Sequence, residues 1–185
     1  MLTVTTIDDI PQKLDTPIAV TLGSYDGIHL GHQSIFKRLK QLGKTSVVVT
    51  FSNHPSEVLT PGHIVQLIYP PETKLKLIEA LGIDLTVLLP FTLETASNTY
   101  DQFLLKLRQK LPFDYLILGE DARLGKGRTG TPDAIRALAQ NQGFSVEYLP
   151  KLEKDGGPVS SGRIRKLLSA GAITEASHLL GRPYP

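Results

Sequence analysis

The sequence predicts an α/β fold, a Rossmann-like, doubly wound parallel sheet of about five strands with helices on both faces. Short apolar runs with β propensity alternate along the chain with helical patterns. Each run is apolar on both faces, as expected of parallel strands that are covered on both sides. Glycines follow three of the predicted helices, where a C-terminal cap belongs, at Gly43, Gly82 and Gly143.

The predicted elements follow one another in a regular order. The strands cover residues 18–22, 46–51, 85–89, 115–118 and 145–149. The helices between them cover residues 32–42, 71–81, 99–110 and 132–142. Pro71 and Pro132 occupy first-turn positions, where proline fits a helix best. After the last strand we expect a polar turn at 151–158 and two short helices near 161–170 and 174–180.

Composition restricts the class of protein. The chain has 185 residues, 41% of them hydrophobic and 21% charged, which fits one globular domain over residues 1–185. These values exclude a disordered tail, a collagen-like chain and a membrane bundle. Twenty basic residues against 18 acidic ones leave a net charge of only +2, too small to suggest a nucleic-acid partner.

Cysteine is absent, which excludes disulfides, thiolate nucleophiles and cysteine-based metal sites. The N-terminus carries acidic residues early and lacks the basic and apolar regions of a targeting segment. No apolar run approaches the roughly 18 residues that a membrane span requires. The sequence therefore predicts a soluble, cytoplasmic protein with no membrane partner.

The most informative stretch follows the first predicted strand and reads Gly23-Ser-Tyr-Asp-Gly-Ile-His-Leu-Gly-His32. Ligands of open α/β sheets bind outside the carboxyl ends of the strands. The glycines allow a tight turn, and the following helix offers free N–H groups to a phosphate. His29 and His32, three residues apart in a turn expected to face solvent, can direct both imidazoles at one point.

Other interpretations of this stretch are open. It is neither a Walker A loop nor a dinucleotide fingerprint, because both glycine patterns are missing. The histidines could simply cap a helix. A zinc site would need a third ligand, which His54 or His63 could supply.

Three further stretches are expected near the same sheet edge. Pro158-Val-Ser-Ser-Gly-Arg-Ile-Arg165 combines helix-capping serines with two arginines suited to phosphate. A loop rich in glycine and charge covers residues 118–130, and Thr50-Phe-Ser-Asn-His-Pro55 follows the second strand. Each stretch alone fits a capped surface helix, a surface loop or a simple turn. A doubly wound fold would place all of them around one crevice.

Together these stretches resemble the nucleotidylyltransferase superfamily and, more narrowly, the FMN adenylyltransferase module of bacterial bifunctional riboflavin kinase/FAD synthetases. The turn at 23–33 matches that family's Gly-x-Phe-Asp-Gly-x-His-x-Gly-His-Gln, and Thr50-Phe51 with His54-Pro55 matches Thr-Phe-x-x-His-Pro. The loop at 119–128 is similar to the family's Gly-x-Asp-Phe-Arg-Phe-Gly loop and the residues after it. Residues 160–165 and 179–184 match its Ser-Ser-Thr-Arg-Ile-Arg and the segment that leads into the kinase module.

The resemblance implies that the chain transfers AMP from ATP to FMN, giving FAD and pyrophosphate, with Mg²⁺ bound through the ATP phosphates and not by protein ligands. The implied catalytic residues are His29, His32 and Arg165. The implied ATP-binding residues are Gly23, Ser24, Tyr25, Asp26, Gly31, Ser160, Ser161 and Arg163. The implied flavin-binding residues are Thr50, Phe51, His54, Pro55, Asp121, Arg123 and Arg128.

The sequence departs from the family at Ala122 and Leu124, where two phenylalanines are usual, and at Gly162, where a threonine is usual. These departures weaken the expected flavin affinity. Two alternatives therefore stay open: a nucleotidyltransferase for phosphopantetheine, nicotinate mononucleotide or an alcohol phosphate, and a flavin- or nucleotide-binding domain with little activity. Residues 181–185 are expected to be a linker stub where a riboflavin kinase domain would follow; that domain is absent from this chain, and either a separate or a truncated kinase domain is compatible with the sequence.

Overall fold

The computed structural model describes residues 1–60, 62 and 65–185 and contains one central parallel sheet. The six strands of this sheet are β1 (Leu2–Val4), β2 (Ile18–Leu22), β3 (Thr45–Phe51), β4 (Leu85–Leu89), β5 (Tyr115–Gly119) and β6 (Ser145–Leu149). Their order across the sheet is β1-β4-β3-β2-β5-β6, and every neighbouring pair is parallel. The predicted fold class is confirmed, with one strand more than expected.

Helices connect the strands. They are α1 (Leu30–Leu42), α2 (Pro55–Leu59), α3 (Pro71–Ala80), α4 (Leu93–Ser97), α5 (Tyr100–Lys110), α6 (Pro132–Gln142), α7 (Ser161–Ser169) and α8 (Ile173–Leu180). A short 3₁₀ turn covers Lys126–Arg128. Two-residue strands β7 (Glu153–Lys154) and β8 (Gly157–Pro158) form an antiparallel hairpin within the predicted polar turn.

Alternate side chains of each central strand enter cores on opposite faces of the sheet. Val47 and Val49 pack with Leu107 of α5 on one face, whereas Val48 packs with Phe36 of α1 on the other. All seven residues of β3 are buried. This double coverage is the physical reason why the strands are apolar on both faces rather than alternating.

Three features of the fold escaped the sequence analysis. Strand β1 is a three-residue edge strand, too short to show a pattern, and it pairs with β4. Helices α2 and α4 have five residues each and are defined mainly by their caps. Helix α1 begins at Leu30 rather than at residue 32, because the His29 side chain caps it.

Helices α7 and α8 form a third, smaller core with residues 68 and 69, and the C-terminal segment packs beside it. The Tyr184 N–H donates to Ser177 Oγ at 3.0 Å, and Arg182 Nη1 donates to the Ile28 carbonyl at 2.9 Å. Residues 182–184 therefore lie against the domain. That the segment leads to a further domain stays a prediction.

Within the part of the chain that the structure describes, no helix is both long enough and apolar enough to cross a membrane.

Candidate active site

The turn between β2 and α1 has an unusual backbone. Gly27 has a φ of 83°, and two residues with side chains, Tyr25 and Ile28, have φ values of 48° and 41°. A β-branched residue such as Ile28 rarely adopts this conformation. Such strained positions cluster at functional sites, where the surrounding structure holds them.

His29 and His32 lie side by side in this turn. Their ring centroids are 3.5 Å apart with an angle of 20° between the planes, and His29 Nδ1 accepts the His32 backbone N–H at 3.4 Å. The Tyr25 ring packs edge-on against His32 at 5.0 Å. The expectation that both imidazoles can serve one point fits this stacking, and His29 is also the cap of α1.

Both imidazoles are neutral in the free protein at neutral pH. Burial lowers the pKa of His29 from 6.5 to about 4, and burial together with the neighbouring His29 lowers the pKa of His32. Because His29 Nδ1 accepts a hydrogen bond, its proton lies on Nε2, which can donate to a ligand. His32 Nδ1 is buried without a hydrogen-bond partner among the described residues.

The expectation of a solvent-facing turn is wrong for His29, whose exposed fraction is only 5%. The turn closes over its own side chains, because Tyr25 and Ile28 are drawn into the core. The sequence pattern of glycine and polar residues indicated a turn but not its depth.

The carboxylate of Asp26 joins this turn to α7. It accepts a hydrogen bond from Arg165 Nη1 at 2.7 Å and is also bonded to the Ile68 N–H, at 3.0 Å from one oxygen and 3.2 Å from the other. The Ser161 hydroxyl donates to the Asp26 carbonyl at 2.8 Å. Asp26 is therefore a structural centre of the site, and the hydrogen bond with it occupies only one nitrogen of Arg165.

Arg163 points away from Arg165, as expected for residues two apart on a helix. Its guanidinium donates to three carbonyls of the β7–β8 hairpin, those of Lys154, Asp155 and Gly157, at 2.7–3.0 Å. The Ser160 hydroxyl accepts the Arg163 N–H at 3.2 Å and caps α7. This geometry favours a structural role for Arg163 over the predicted contact with ATP, which stays a prediction.

A small cavity of about 120 Å³ opens beside the two histidines. Gly31 and Ser160 line it together with apolar side chains that include Ile35 and Val159. A Cβ at position 31 would lie 3.3 Å from the His29 ring, so glycine allows the close approach. Asp121, predicted to contact the nucleotide or the flavin, lines this cavity, and Lys151 pairs with it at 3.1 Å.

A larger cavity of about 580 Å³ lies at the same sheet edge. The predicted flavin residues Phe51, Pro55, Arg123 and Arg128 line it, as do Gly23 and Ser24, which were predicted for ATP. The 50–55 turn and the 119–130 loop therefore form walls of one cavity, as expected. Thr50 and His54 support it: the Thr50 hydroxyl donates to the Ser24 carbonyl at 3.0 Å, and His54 caps α2.

Aromatic rings that the sequence analysis missed contribute to this larger cavity. Phe91 and Phe103 line it with Phe51, and the Phe51 and Phe91 rings meet edge-to-face at 5.0 Å. Ala122 and Leu124 both pack against the main core, but only Leu124 also lines the cavity. The missing phenylalanines of the 119–130 loop are thus partly replaced by rings from elsewhere in the fold.

Two cations of the site were not predicted from the sequence. Lys74 is buried between the ends of β2 and β3, and the Arg182 guanidinium donates to the carbonyls of Gly27 and Ile28, just before His29. Lys74 could have been found, because it lies four residues before the apolar Ile78 on the inner face of a predicted helix. No local pattern signals the contact of Arg182.

In the described ranges no three His, Cys, Asp or Glu side chains are grouped as metal ligands. His63, one of the two residues considered as a third zinc ligand, lies outside the described residues.

The lowered pKa of His29 predicts a stability that depends on pH. The unfolded chain takes up a proton at an ordinary pKa of 6.5 and the folded chain only near 4, so stability is full above 6.5 and falls as the pH drops towards 4. As the pH falls from about 7.5 to about 5, we expect His29 to lower the free energy of unfolding by roughly 2 kcal/mol. Urea unfolding of the parent and of His29→Asn at both pH values tests this; an equal acid loss in both proteins would contradict it.

Comparison with known proteins identifies the family. The family model described as FAD synthetase matches residues 11–163. The chain is 31% identical over 179 residues to a bifunctional riboflavin kinase/FMN adenylyltransferase of Buchnera aphidicola subsp. Schizaphis graminum, covering 94% of this chain and 57% of the relative. It is 28% identical to an FAD synthetase of Listeria monocytogenes, covering 94% of this chain and 72% of that protein.

A solved structure, described as a macrolide-efflux protein from Streptococcus pneumoniae, superposes with a TM-score of 0.86 at 27% identity. The match covers 99% of this chain and 62% of that one. The chain thus spans little more than half the length of the bifunctional relative. The resemblance inferred from the sequence motifs is confirmed: this chain belongs to the FAD synthetase family.

Proposed function

We propose that this chain is an FMN adenylyltransferase, which transfers AMP from ATP to FMN and releases pyrophosphate. One observation carries the proposal: residues of a single turn line both cavities. Gly23 and Ser24 line the large cavity, and His29, Gly31 and His32 line the small one. The small cavity, at about 120 Å³, has room for phosphate groups but not for a whole nucleotide. A flavin in the large cavity and the phosphates of ATP at the small one would therefore meet at this turn.

The reaction requires two anions to meet. An oxygen of the FMN phosphate forms a bond to the α-phosphorus of ATP, while the bond from that phosphorus to the oxygen bridging to the β-phosphate breaks. The attacking oxygen is already anionic near neutral pH and needs no general base. Charge neutralisation and in-line placement are the main requirements.

The described side chains can meet these requirements. The neutral imidazoles of His29, which is buried, and of His32 offer N–H donors to the α- and β-phosphates. Ser160, the N-cap of α7, lines the small cavity, and we assign the departing pyrophosphate to this helix N-terminus and to the nitrogens of Arg165 that do not bind Asp26. The polyanion itself raises the pKa of both imidazoles, so ATP binding favours their protonation.

Mg²⁺ is expected to enter with ATP. Asp26 is already paired with Arg165, and Asp121 is paired with Lys151, so neither carboxylate fits a preformed metal site. Mg²⁺ commonly binds substrate phosphates and keeps several waters. When bound, it neutralises phosphate charge, and the protein residues position the nucleotide around it.

The experiment is a screen of acceptors with ATP and the purified chain, following pyrophosphate release and FAD formation. FMN should support both, whereas riboflavin, nicotinate mononucleotide and phosphopantetheine should not. Pyrophosphate release with another phosphorylated acceptor would favour a different nucleotidyltransferase. FMN and ATP binding without pyrophosphate release would favour a binding domain.

The larger cavity predicts an asymmetry between two substitutions by phenylalanine. Leu124 lines this cavity, so Leu124→Phe adds a ring beside the flavin and should tighten FMN binding by about 1 kcal/mol, roughly fivefold. Ala122 packs against the core and does not line this cavity, so Ala122→Phe should not tighten binding, and it should lower the melting temperature. Flavin fluorescence titration of the ATP-loaded proteins measures both. Equal tightening by the two variants would refute the assignment of the cavity.

A further inference from the structure

Lys74 is a nearly buried ammonium group at the junction of the two walls of the site. It lies in the first turns of α3, and its side chain is only 7% exposed. Its Nζ donates to the Phe51 carbonyl at 2.5 Å and to the Ser24 carbonyl at 3.2 Å, with the Thr50 hydroxyl 3.4 Å away. One amine thus joins the turn after β2 to the end of β3.

The hydrogen bonds around this amine connect the same few groups to one another. The Ser24 carbonyl accepts from both Lys74 Nζ and Thr50 Oγ1, the latter at 3.0 Å. Thr50 itself is fully buried. Ser24 and Phe51 line the large cavity, so the position of Lys74 fixes two of its walls relative to each other.

The charge of Lys74 has no carboxylate partner within ion-pair distance among the described residues. The nearest acidic influence is Asp26, whose carboxylate is already paired with Arg165 at 2.7 Å. Burying a lysine that is satisfied only by neutral oxygens is costly, and such lysines are rare.

The field of this charge reaches the residues of the reaction site. Lys74 contributes to lowering the pKa of both His32 and His54, although burial is the largest cause for each. These residues lie on the turn after β2 and on the turn after β3. The charge is therefore directed at the region where two substrate phosphates would meet and repel each other.

We infer that Lys74 is a positioning residue for adenylyl transfer, whose ammonium fastens Ser24 to the end of β3 and supplies an unpaired positive charge behind the meeting phosphates. The inference rests on the proposed function and assigns to this site a cation outside all the motifs of the sequence. Both parts of the role depend on the proton of Lys74, since loss of that proton removes the charge and one donor.

A pH profile gives a readout that a purely structural role would not move. Burial lowers the pKa of Lys74 to about 8, while Asp26 opposes this shift. The other titratable groups near it, His32 and His54, have lowered pKa values and stay neutral at alkaline pH. Because the pH dependence of kcat/KM reports the groups of the free enzyme, kcat/KM for FAD formation should fall as the pH rises through about 8, as Lys74 loses its charge.

The experiment compares Lys74→Met with Lys76→Met, a matched substitution at an exposed position on the same helix. Melting temperature, kcat and the KM values for ATP and FMN are measured from about pH 6.5 to about pH 9.5. We expect Lys74→Met to lower kcat at least roughly tenfold and to abolish the alkaline decline, and Lys76→Met to stay within about twofold of the parent. Lys74→Arg keeps the charge and should retain activity at alkaline pH better than the parent.

The outcomes separate the two proposals. Parent-like rates and an unchanged pH profile in folded Lys74→Met would overturn the role of Lys74 while leaving FAD formation in place. If Lys74→Met does not fold, the pH profile of the parent decides. A profile that is flat through about pH 8 overturns the role of Lys74, whereas a decline that is absent from Lys74→Arg supports that role. If the parent forms no FAD, the proposed function fails, and Lys74 is then judged by ATP titration: affinity equal in Lys74→Met and Lys76→Met overturns the positioning role.

Discussion

Replacing either His29 or His32 by alanine is expected to lower kcat/KM for FAD formation roughly 100-fold. This corresponds to about 3 kcal/mol of transition-state stabilisation, as for the loss of one donor to an oxyanion. The expectation follows from the two stacked imidazoles, 3.5 Å apart, beside the small cavity. Steady-state kinetics of each variant, with ATP and FMN varied in turn, measures the loss.

The effects of these substitutions on folding stability have to be separated from their effects on catalysis. His29 caps α1 and is buried, so His29→Ala should also cost on the order of 1 kcal/mol of folding free energy. His29→Asn restores a capping side chain and should recover stability without recovering the rate. His178→Ala, on the exposed face of α8, is the matched control and should change neither.

Because the two rings are in contact, their contributions should not be additive. The double variant should lose less than the product of the single losses, as is usual for groups that act as a unit. A His29→Ala protein with unaltered turnover would remove the histidines from the mechanism. If the rate fell only in proportion to the loss of folded protein, the two histidines would have a structural role in capping and no role in the chemistry.

Arg165→Lys is expected to lower kcat roughly 10-fold to 100-fold, in line with the loss of a charge-assisted hydrogen bond worth about 1.5–3 kcal/mol. The guanidinium can hold Asp26 with Nη1, which is 2.7 Å from the carboxylate, and still offer a phosphate its other nitrogens. A lysine ammonium at the same position keeps the ion pair but lacks the planar fork. The decline should therefore appear in kcat with little change in melting temperature.

Arg163→Lys is the matched control two residues earlier. It weakens the contacts of Arg163 with three carbonyls of the β7–β8 hairpin, so its effect should be a small loss of stability and a change in rate of less than about threefold. Equal losses of kcat for the two variants would contradict the division of roles. Arg165→Met should be the most damaging to stability, by about 3–5 kcal/mol, because it leaves the buried Asp26 carboxylate unpaired.

The sequence predicted the central strands because their double coverage leaves a local trace. Residues of β3 must be apolar on both faces, and that requirement is visible without any knowledge of neighbours. Strand β1 and helices α2 and α4 leave no such trace. Three to five residues do not establish a period, and their stability comes from pairing and caps.

The same distinction between local sequence patterns and tertiary contacts applies to the candidate site. Motif order was enough to place His29, Phe51 and Arg165 near one sheet edge, because parallel strands deliver their following loops to one edge. Spacing along the chain did not reveal that Arg165 holds a buried Asp26 or that Arg163 holds a hairpin. The Arg165 contact depends on the packing of α7 against the turn after β2, and the Arg163 contacts depend on how the β7–β8 hairpin folds back onto α7.

By itself, the sequence determined the fold class, the family and the turn that carries the two histidines, since each depends on residue types at short, fixed spacings. Only the tertiary structure decided how deeply His29 is buried, which aromatic rings line the larger cavity, and that Lys74 and Arg182 belong to the site. Arg182 reaches the carbonyl of Ile28 across 154 positions of sequence. Burial, pKa shifts and contacts of this kind arise when distant segments exclude water from one another, and no local pattern encodes that proximity.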